Sequence, residues 1–142
     1  TGSRKVKDGK KDGSVILFNH TGFVVNKASK ASDFGFDDFA FASIVGLNPG
    51  NVIVVNKSLG VNSLTDLKAY TEQHPDQLKI AVQTGATSYV IASQLIKQGF
   101  KLKMVDAGAA ASRLTALLGG HVDVIFSPYG VTFRLEFFIN CN

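Results

Sequence analysis

Apolar and polar residues alternate in regular blocks over the second half of the chain, and each block has the length of a strand or a helix. Residues 51–56 (NVIVVN) carry the strongest strand signal, because three valines and an isoleucine stand between two asparagines. Beyond them, short apolar runs separate segments of helical periodicity. The pattern predicts helices over residues 63–72, 87–98 and 109–118, and strands over residues 79–82, 102–105 and 122–126.

Strands this apolar, joined by helices this short, are typical of a parallel sheet with right-handed crossovers. We therefore predict an α/β fold in which residues 79–126 form a βαβαβ unit. The helix ends agree with this prediction. Ser63 stands three residues before Asp66, which is a relative of the capping box, and glycines follow the second and third helices.

The two ends of the chain are less regular. Residues 14–18 (SVILF) predict a short buried strand, and residues 3–11 predict the end of a helix. Residues 34–47 are rich in aromatic side chains and end in a strand-like segment. Residues 131–142 depart from the βα pattern, and their apolar residues at every second position predict a half-buried strand.

The composition is that of a globular chain, since 45% of its 142 residues are hydrophobic and 18% are charged. Much of the net charge of +4 comes from basic residues among the first eleven, without interleaved aromatic residues. This favours a solvated helix face over a nucleic-acid site. The single cysteine, Cys141, excludes an internal disulfide framework and a cysteine-rich metal site. We predict neither a metal nor a cofactor.

The sequence given predicts neither a membrane-spanning helix nor a signal peptide. No apolar run reaches the roughly 18 residues that a membrane-spanning helix needs. The first eleven residues are polar and basic, so this chain does not contain the apolar core of a signal peptide.

Candidate chemistry lies where predicted strands lead into helices, because ligands of open parallel sheets bind beyond the carboxyl ends of the strands. Residues 83–88 (QTGATS) form the first such junction, and residues 106–110 (DAGAA) and 127–130 (SPYG) form the next two. Residues 19–22 (NHTG) make a fourth polar junction after the early predicted strand.

The first junction suits an anion. A helix N-terminus presents unpaired N–H groups and a partial positive charge, Gly85 allows a close approach, and Thr84, Thr87 and Ser88 add hydroxyl donors. The alternative is that Thr87 or Ser88 only caps its own helix. The junction is neither a phosphate-binding P-loop nor a dinucleotide fingerprint, because the required lysine and glycines are missing.

The residues indicate no enzyme. His20 is the only one of the three histidines at a candidate junction, where it could donate a hydrogen bond. Asp106 and Asp123 have no visible catalytic partner, and no serine stands in a nucleophile elbow. Arg113, one turn into its predicted helix, is expected only at the rim of a site.

Residues 114–130 (LTALLGGHVDVIFSPYG) closely resemble the LLGGHVDV signature of the Bug-type receptors of the tripartite tricarboxylate transporter family. Other segments resemble family motifs in the same order over roughly residues 12–129. They are DGSVILF, FDDFAFASIV, NVIVVN, SLTDLK, the GATS turn at residues 85–88 and the GAA turn at residues 108–110.

The resemblance implies a periplasmic-binding-protein-like fold of type II, which holds a small carboxylate between two lobes. Residues 1–55 would be a partial first lobe with a hinge strand, residues 56–130 the second lobe, and residues 131–142 an atypical C-terminal segment. The family's first strand and its ligand-binding loop have no counterpart here. We therefore expect a receptor that is truncated at both ends, with an incomplete two-lobe architecture.

Carried over by position, the resemblance also implies the ligand contacts. From the second lobe they are Thr84, Gly85, Thr87, Ser88, Gly108 and Ala109, and from the first lobe they are Asn19, His20 and Thr21.

The function implied is that of a non-enzymatic extracytoplasmic receptor that delivers a small carboxylic acid to a membrane transporter. Its location would be periplasmic, or extracellular and anchored to the membrane. The alternative is a ligand-sensing regulatory or interaction module on the same fold. We expect no nucleic-acid partner, and a homodimer through unpaired sheet edges is a further expectation.

Overall fold

The computed structural model describes residues 2–47 and 50–130 of the chain. These residues belong to two compact units, Thr1–Val45 and Gly46–Asn142. The second unit contains a sheet of four strands, which are β1 (Asn51–Val55), β2 (Leu78–Val82), β3 (Leu102–Asp106) and β4 (Val124–Pro128). The chain has five α-helices within the described ranges, which are α1 (Gly2–Lys7), α2 (Gly22–Ala28), α3 (Leu64–Gln73), α4 (Thr87–Lys97) and α5 (Ala110–Leu118).

The sheet has the strand order β1-β4-β2-β3. Strand β2 pairs in parallel with both β3 and β4, which confirms the predicted α/β class and the βαβαβ unit. Strand β1 pairs antiparallel with β4, with Asn51 opposite Pro128 and Val55 opposite Val124. The last strand begins two residues later than the predicted residues 122–126.

Helices cover both faces of this sheet. On one face, Leu67 of α3 and Leu95 of α4 pack with Ile80 of β2 and Val124 of β4 in one buried cluster. On the other face, Leu117 of α5 packs in a second cluster that includes Ala81 and Ile125. Alternate residues of a strand point to opposite faces, so each central strand is buried on both sides and reads as a continuous apolar run.

Local signals determine where α3 begins. The Ser63 hydroxyl oxygen accepts a hydrogen bond of 3.0 Å from the backbone N–H of Asp66. The Asp66 carboxylate in turn accepts one of 3.3 Å from the N–H of Asn62. The predicted relative of the capping box is therefore present. Two side-chain acceptors, on Ser63 and Asp66, satisfy two backbone N–H groups at the start of the helix.

The first unit contains α1, α2 and a cluster of phenylalanines. Phe23 of α2 lies within 5.1–5.9 Å, centroid to centroid, of Phe34, Phe36 and Phe39. The Arg4 guanidinium lies 5.2 Å from the centre of the Phe34 ring and pairs with Asp33 at 2.6 Å. The aromatic segment thus supplies the buried core of this unit.

The prediction of two strands in the first part of the chain is wrong. Residues 14–18 and the end of residues 34–47 have no strand pairing in the structure. A strand needs a neighbour to satisfy its backbone groups, and the described residues of this unit contain no strand that could serve. Apolar side chains of both segments are consequently exposed, including Ile16 at 84% and Val45 at 74%.

Strand β1 lies in the second compact unit. It pairs antiparallel with β4, which belongs to the same unit. The assignment of either unit to a receptor lobe stays a prediction. The predicted strand within residues 131–142 lies outside the described residues. Within the described ranges, no helix has the length and apolar character to cross a membrane.

Two adjacent leucines at the end of α5 test this packing. Leu117 is 6% exposed and Leu118 is 63% exposed. We expect Leu117→Ala to lower the free energy of unfolding by about 2–5 kcal/mol, because it removes buried methyl groups and leaves a cavity. The matched change Leu118→Ala should alter it by less than about 0.5 kcal/mol. Urea denaturation followed by circular dichroism measures both, and equal losses would contradict the burial of Leu117.

Candidate ligand-binding site

Pairing between β2 and β3 brings the first two junctions to one edge of the sheet. Val82 at the end of β2 stands opposite Asp106 at the end of β3. The N–H of Ala107 continues this pairing with a hydrogen bond of 3.0 Å to the carbonyl of Val82. The loops that lead into α4 and α5 therefore start side by side.

The first junction leaves the N-terminus of α4 without a side-chain cap. Its N-cap is Ala86, so neither Thr87 nor Ser88 caps the helix as the alternative interpretation required. The buried Ser88 hydroxyl instead accepts a hydrogen bond of 3.0 Å from the N–H of Gln83 and braces the loop. Among the described residues, the N–H groups of Thr87 and Ser88 have no hydrogen-bond partner, as the first turn of a helix leaves them.

Glycine is required once in each of these two loops. Gly85 has a φ of +76° and Gly108 a φ of +73°, in the left-handed region where other residues are strained. Neither position has a heavy atom within 4 Å of where a Cβ would stand. The glycines therefore determine the path of the loop rather than relieve a steric clash.

Asp106 joins the two loops through its carboxylate. One oxygen accepts hydrogen bonds from the Thr84 N–H at 3.1 Å and from the Thr84 hydroxyl at 2.5 Å. The other oxygen accepts a bond of 3.0 Å from the N–H of Gly108. These bonds, the Thr84 hydroxyl first, lower the pKa of Asp106 below its ordinary value of 3.8, and the charge of Arg113 adds a smaller effect.

Arg113 is buried beneath the second loop, although it was expected at a rim. It is 6% exposed, and its guanidinium donates to the carbonyls of Gly108 at 2.7 Å and Phe126 at 3.3 Å. It thus ties the loop after β3 to strand β4. Burial lowers the pKa of this arginine, and the nearby Asp106 charge partly offsets that effect. Its spacing of four residues from buried Leu117 was a signal that it lies on the inner face of α5.

The six predicted contacts of the second unit are thereby brought to one edge of the sheet. Ala109, the N-cap of α5, also lacks a capping side chain. The predicted site did not include Asp106, which stands between the two loops.

The three predicted contacts of the first unit surround the start of α2. The Asn19 side chain accepts a hydrogen bond from the N–H of His20 at 2.9 Å, and His20 Nδ1 accepts one from Gly22 at 3.0 Å. Thr21 is the N-cap but makes no capping bond with its side chain. All three residues are exposed, and their approach to the other six stays a prediction.

A separate groove of about 530 Å³ lies elsewhere in the second unit. Its walls are largely apolar and come from β1, the start of α3, Ile91 of α4 and Phe126 of β4. None of the predicted ligand contacts lines it.

No protein-family model and no curated protein matches this sequence. Solved structures do match 55% of the chain. They include the periplasmic binding protein BugD, at 22% identity and a TM-score of 0.51, and Rpa4515 of R. palustris solved with adipate, at 31% identity and 0.50. MatC of Rhodopseudomonas palustris, solved with bound malate, matches at 24% identity and 0.48.

These structural neighbours are Bug-type periplasmic binding proteins. The resemblance predicted from the motifs is therefore confirmed, and so is the α/β fold of that class. The matched part spans 27% of the length of each of the three proteins.

The carboxyl group of Asp106 provides a test of the loop geometry. Because the Thr84 hydroxyl is the main cause of the lowered pKa, we expect Thr84→Val to raise the pKa of Asp106 towards 3.8. A lowered folded-state pKa means that the stability from these bonds is complete above about pH 4 and is lost as the pH falls through that pKa. Carbon-13 NMR titration of the carboxyl group measures the change.

The control for this titration is Thr115→Val. Its hydroxyl donates to the Ala111 carbonyl within α5, so its removal should leave the pKa of Asp106 where it is. A pKa that stays equally low in Thr84→Val would show that the hydroxyl does not act on Asp106.

Proposed function

We propose that this chain acts as an extracytoplasmic solute-binding receptor for a small carboxylic acid and delivers that acid to a tripartite tricarboxylate-type membrane transporter. The observation that carries the proposal is the pair of uncapped helix N-termini, α4 and α5, next to each other at the carboxyl edge of the sheet. Two such termini provide N–H donors and partial positive charge without any reactive side chain.

The ligand class follows from these donors and from a neighbour. A carboxylate is an acceptor of the size that hydroxyl and backbone donors at Thr84, Gly85, Thr87 and Ser88 can hold. Rpa4515, which is 31% identical to this chain over the matched part, was solved with adipate. Gly108 and Ala109 would form a further wall, and Asn19, His20 and Thr21 would contact the ligand from the other lobe.

The neighbours are binding proteins, which supports a role without catalysis. Their periplasmic class supports a site of action outside the cytoplasm. Transporter subunits are the proposed protein partners. A homodimer through the outer edges of β1 or β3 is a second, separate proposal, since these are the edge strands of the sheet.

Thermal denaturation in the presence of carboxylates tests the receptor function. A ligand that binds only the folded chain stabilises it, by about 2.7 kcal/mol at a concentration of one hundred times Kd. We expect adipate or another mono-, di- or tricarboxylate to raise the melting temperature. The double change Thr84→Ala and Ser88→Ala should abolish the rise, because it removes two hydroxyls from the first junction.

A second double variant controls for general loss of hydroxyl groups. Ser93 and Thr115 donate to carbonyls within their own helices, so Ser93→Ala with Thr115→Ala should keep the ligand-induced rise. The function would be refuted if no carboxylate shifted the melting temperature of the folded wild-type chain.

A further inference from the structure

The donors of the two loops already have an anion bound to them, and that anion belongs to the chain. Asp106 accepts from the N–H and hydroxyl of Thr84 and from the N–H of Gly108. Three donors in this arrangement, drawn from two loops beside helix N-termini, are what a ligand carboxylate would require. The Asp106 side chain is exposed, so an incoming ligand can reach its position.

A buried cation gives independent support for an anion at this place. Arg113 is more than nine-tenths buried and reaches the second loop at the Gly108 carbonyl. Its Nε is buried without a hydrogen-bond partner among the described residues. Arg113 has no ion pair among the residues that the structure describes, and the positive charge of its guanidinium favours a negative charge near the loop it contacts.

We propose that Asp106 determines the anion specificity of this junction, because its carboxylate competes with a ligand carboxylate for the donors of Thr84 and Gly108. This inference rests on the carboxylate site of the proposed function and deepens it. A ligand carboxylate must displace the Asp106 carboxylate from these donors. The negative charge of Asp106 then stays close to the bound ligand. The junction consequently selects ligands that present one carboxylate to it and disfavours ligands with two neighbouring carboxylates.

Asp106→Asn tests the competition, because asparagine keeps the size and one acceptor oxygen but removes the charge. We use sodium acetate as the probe, at constant ionic strength, and follow the amide signals of Thr84 and Gly108 by nitrogen-15 NMR. Acetate should bind the variant at least about tenfold more tightly than the wild type. Equal or weaker binding by the folded variant, including no binding at all, would overturn the proposal.

Asp76→Asn is the matched control. It removes the same charge from an exposed residue just before β2, at the end of β2 that lies away from the candidate loops. Asparagine tolerates the φ of +57° at this position. The control should bind acetate as the wild type does. A gain in this variant equal to that of Asp106→Asn would assign the effect to net charge and overturn the proposal.

A measurement on the wild type needs no variant and covers the case in which Asp106→Asn does not fold. Saturating acetate should move the carbon-13 carboxyl signal of Asp106 as its hydrogen bonds are released. A carboxyl signal that stays constant while the Thr84 and Gly108 amides shift would refute displacement.

The receptor function is tested separately by the carboxylate screen on the wild type. If that screen fails while Asp106→Asn gains acetate affinity, the receptor function is refuted and the competition stands. If adipate binds the wild type and Asp106→Asn gains no acetate affinity, the receptor function stands and the competition by Asp106 is refuted.

Discussion

The parallel register between β2 and β3 is the constraint on which the candidate site depends. Val82 stands opposite Asp106 only in this register, and a shift of one residue would turn every side chain of one strand to the other face. Burial enforces the register, because Ile80 and Val82 belong to the same buried cluster as Leu102. The apolar core of the sheet therefore determines which loop donors meet, although it contributes no atom to the site.

This dependence explains what the sequence could and could not predict. Strand and helix positions were recoverable in the second unit, because its apolar runs and cap residues report local preferences that the tertiary structure also satisfies. The same reasoning failed at residues 14–18. Apolar periodicity shows that a segment favours burial in a sheet, but it does not show that a neighbouring strand is present, and Ile16 is left 84% exposed.

The position of the candidate site in the fold was predictable in part for a similar reason, while its role in ligand binding stays a prediction. Small hydroxylated residues at a strand–helix junction are a local signal, so Thr84 and Ser88 could be named from spacing. The partnership of Thr84 with Asp106 spans 22 residues and exists only once the two strands have paired. Arg113 had an indirect signal in its position on the apolar side of α5, but its two carbonyl partners come from a loop and a strand that the helix pattern does not specify.

The antiparallel strand β1 has a consequence for how the sheet can assemble. Its partner β4 is the last described strand, so Asn51 and Pro128 can pair only after the chain between them has been made. Strands β2 and β3, which are joined through one short helix, can pair earlier. Contacts between residues as far apart in sequence as Asn51 and Pro128 close slowly, because chain entropy is lost before they form. During synthesis, β1 would emerge from the ribosome before its partner β4 has been made. The valines that stabilise the finished sheet are thus open to incorrect association while the chain is incomplete.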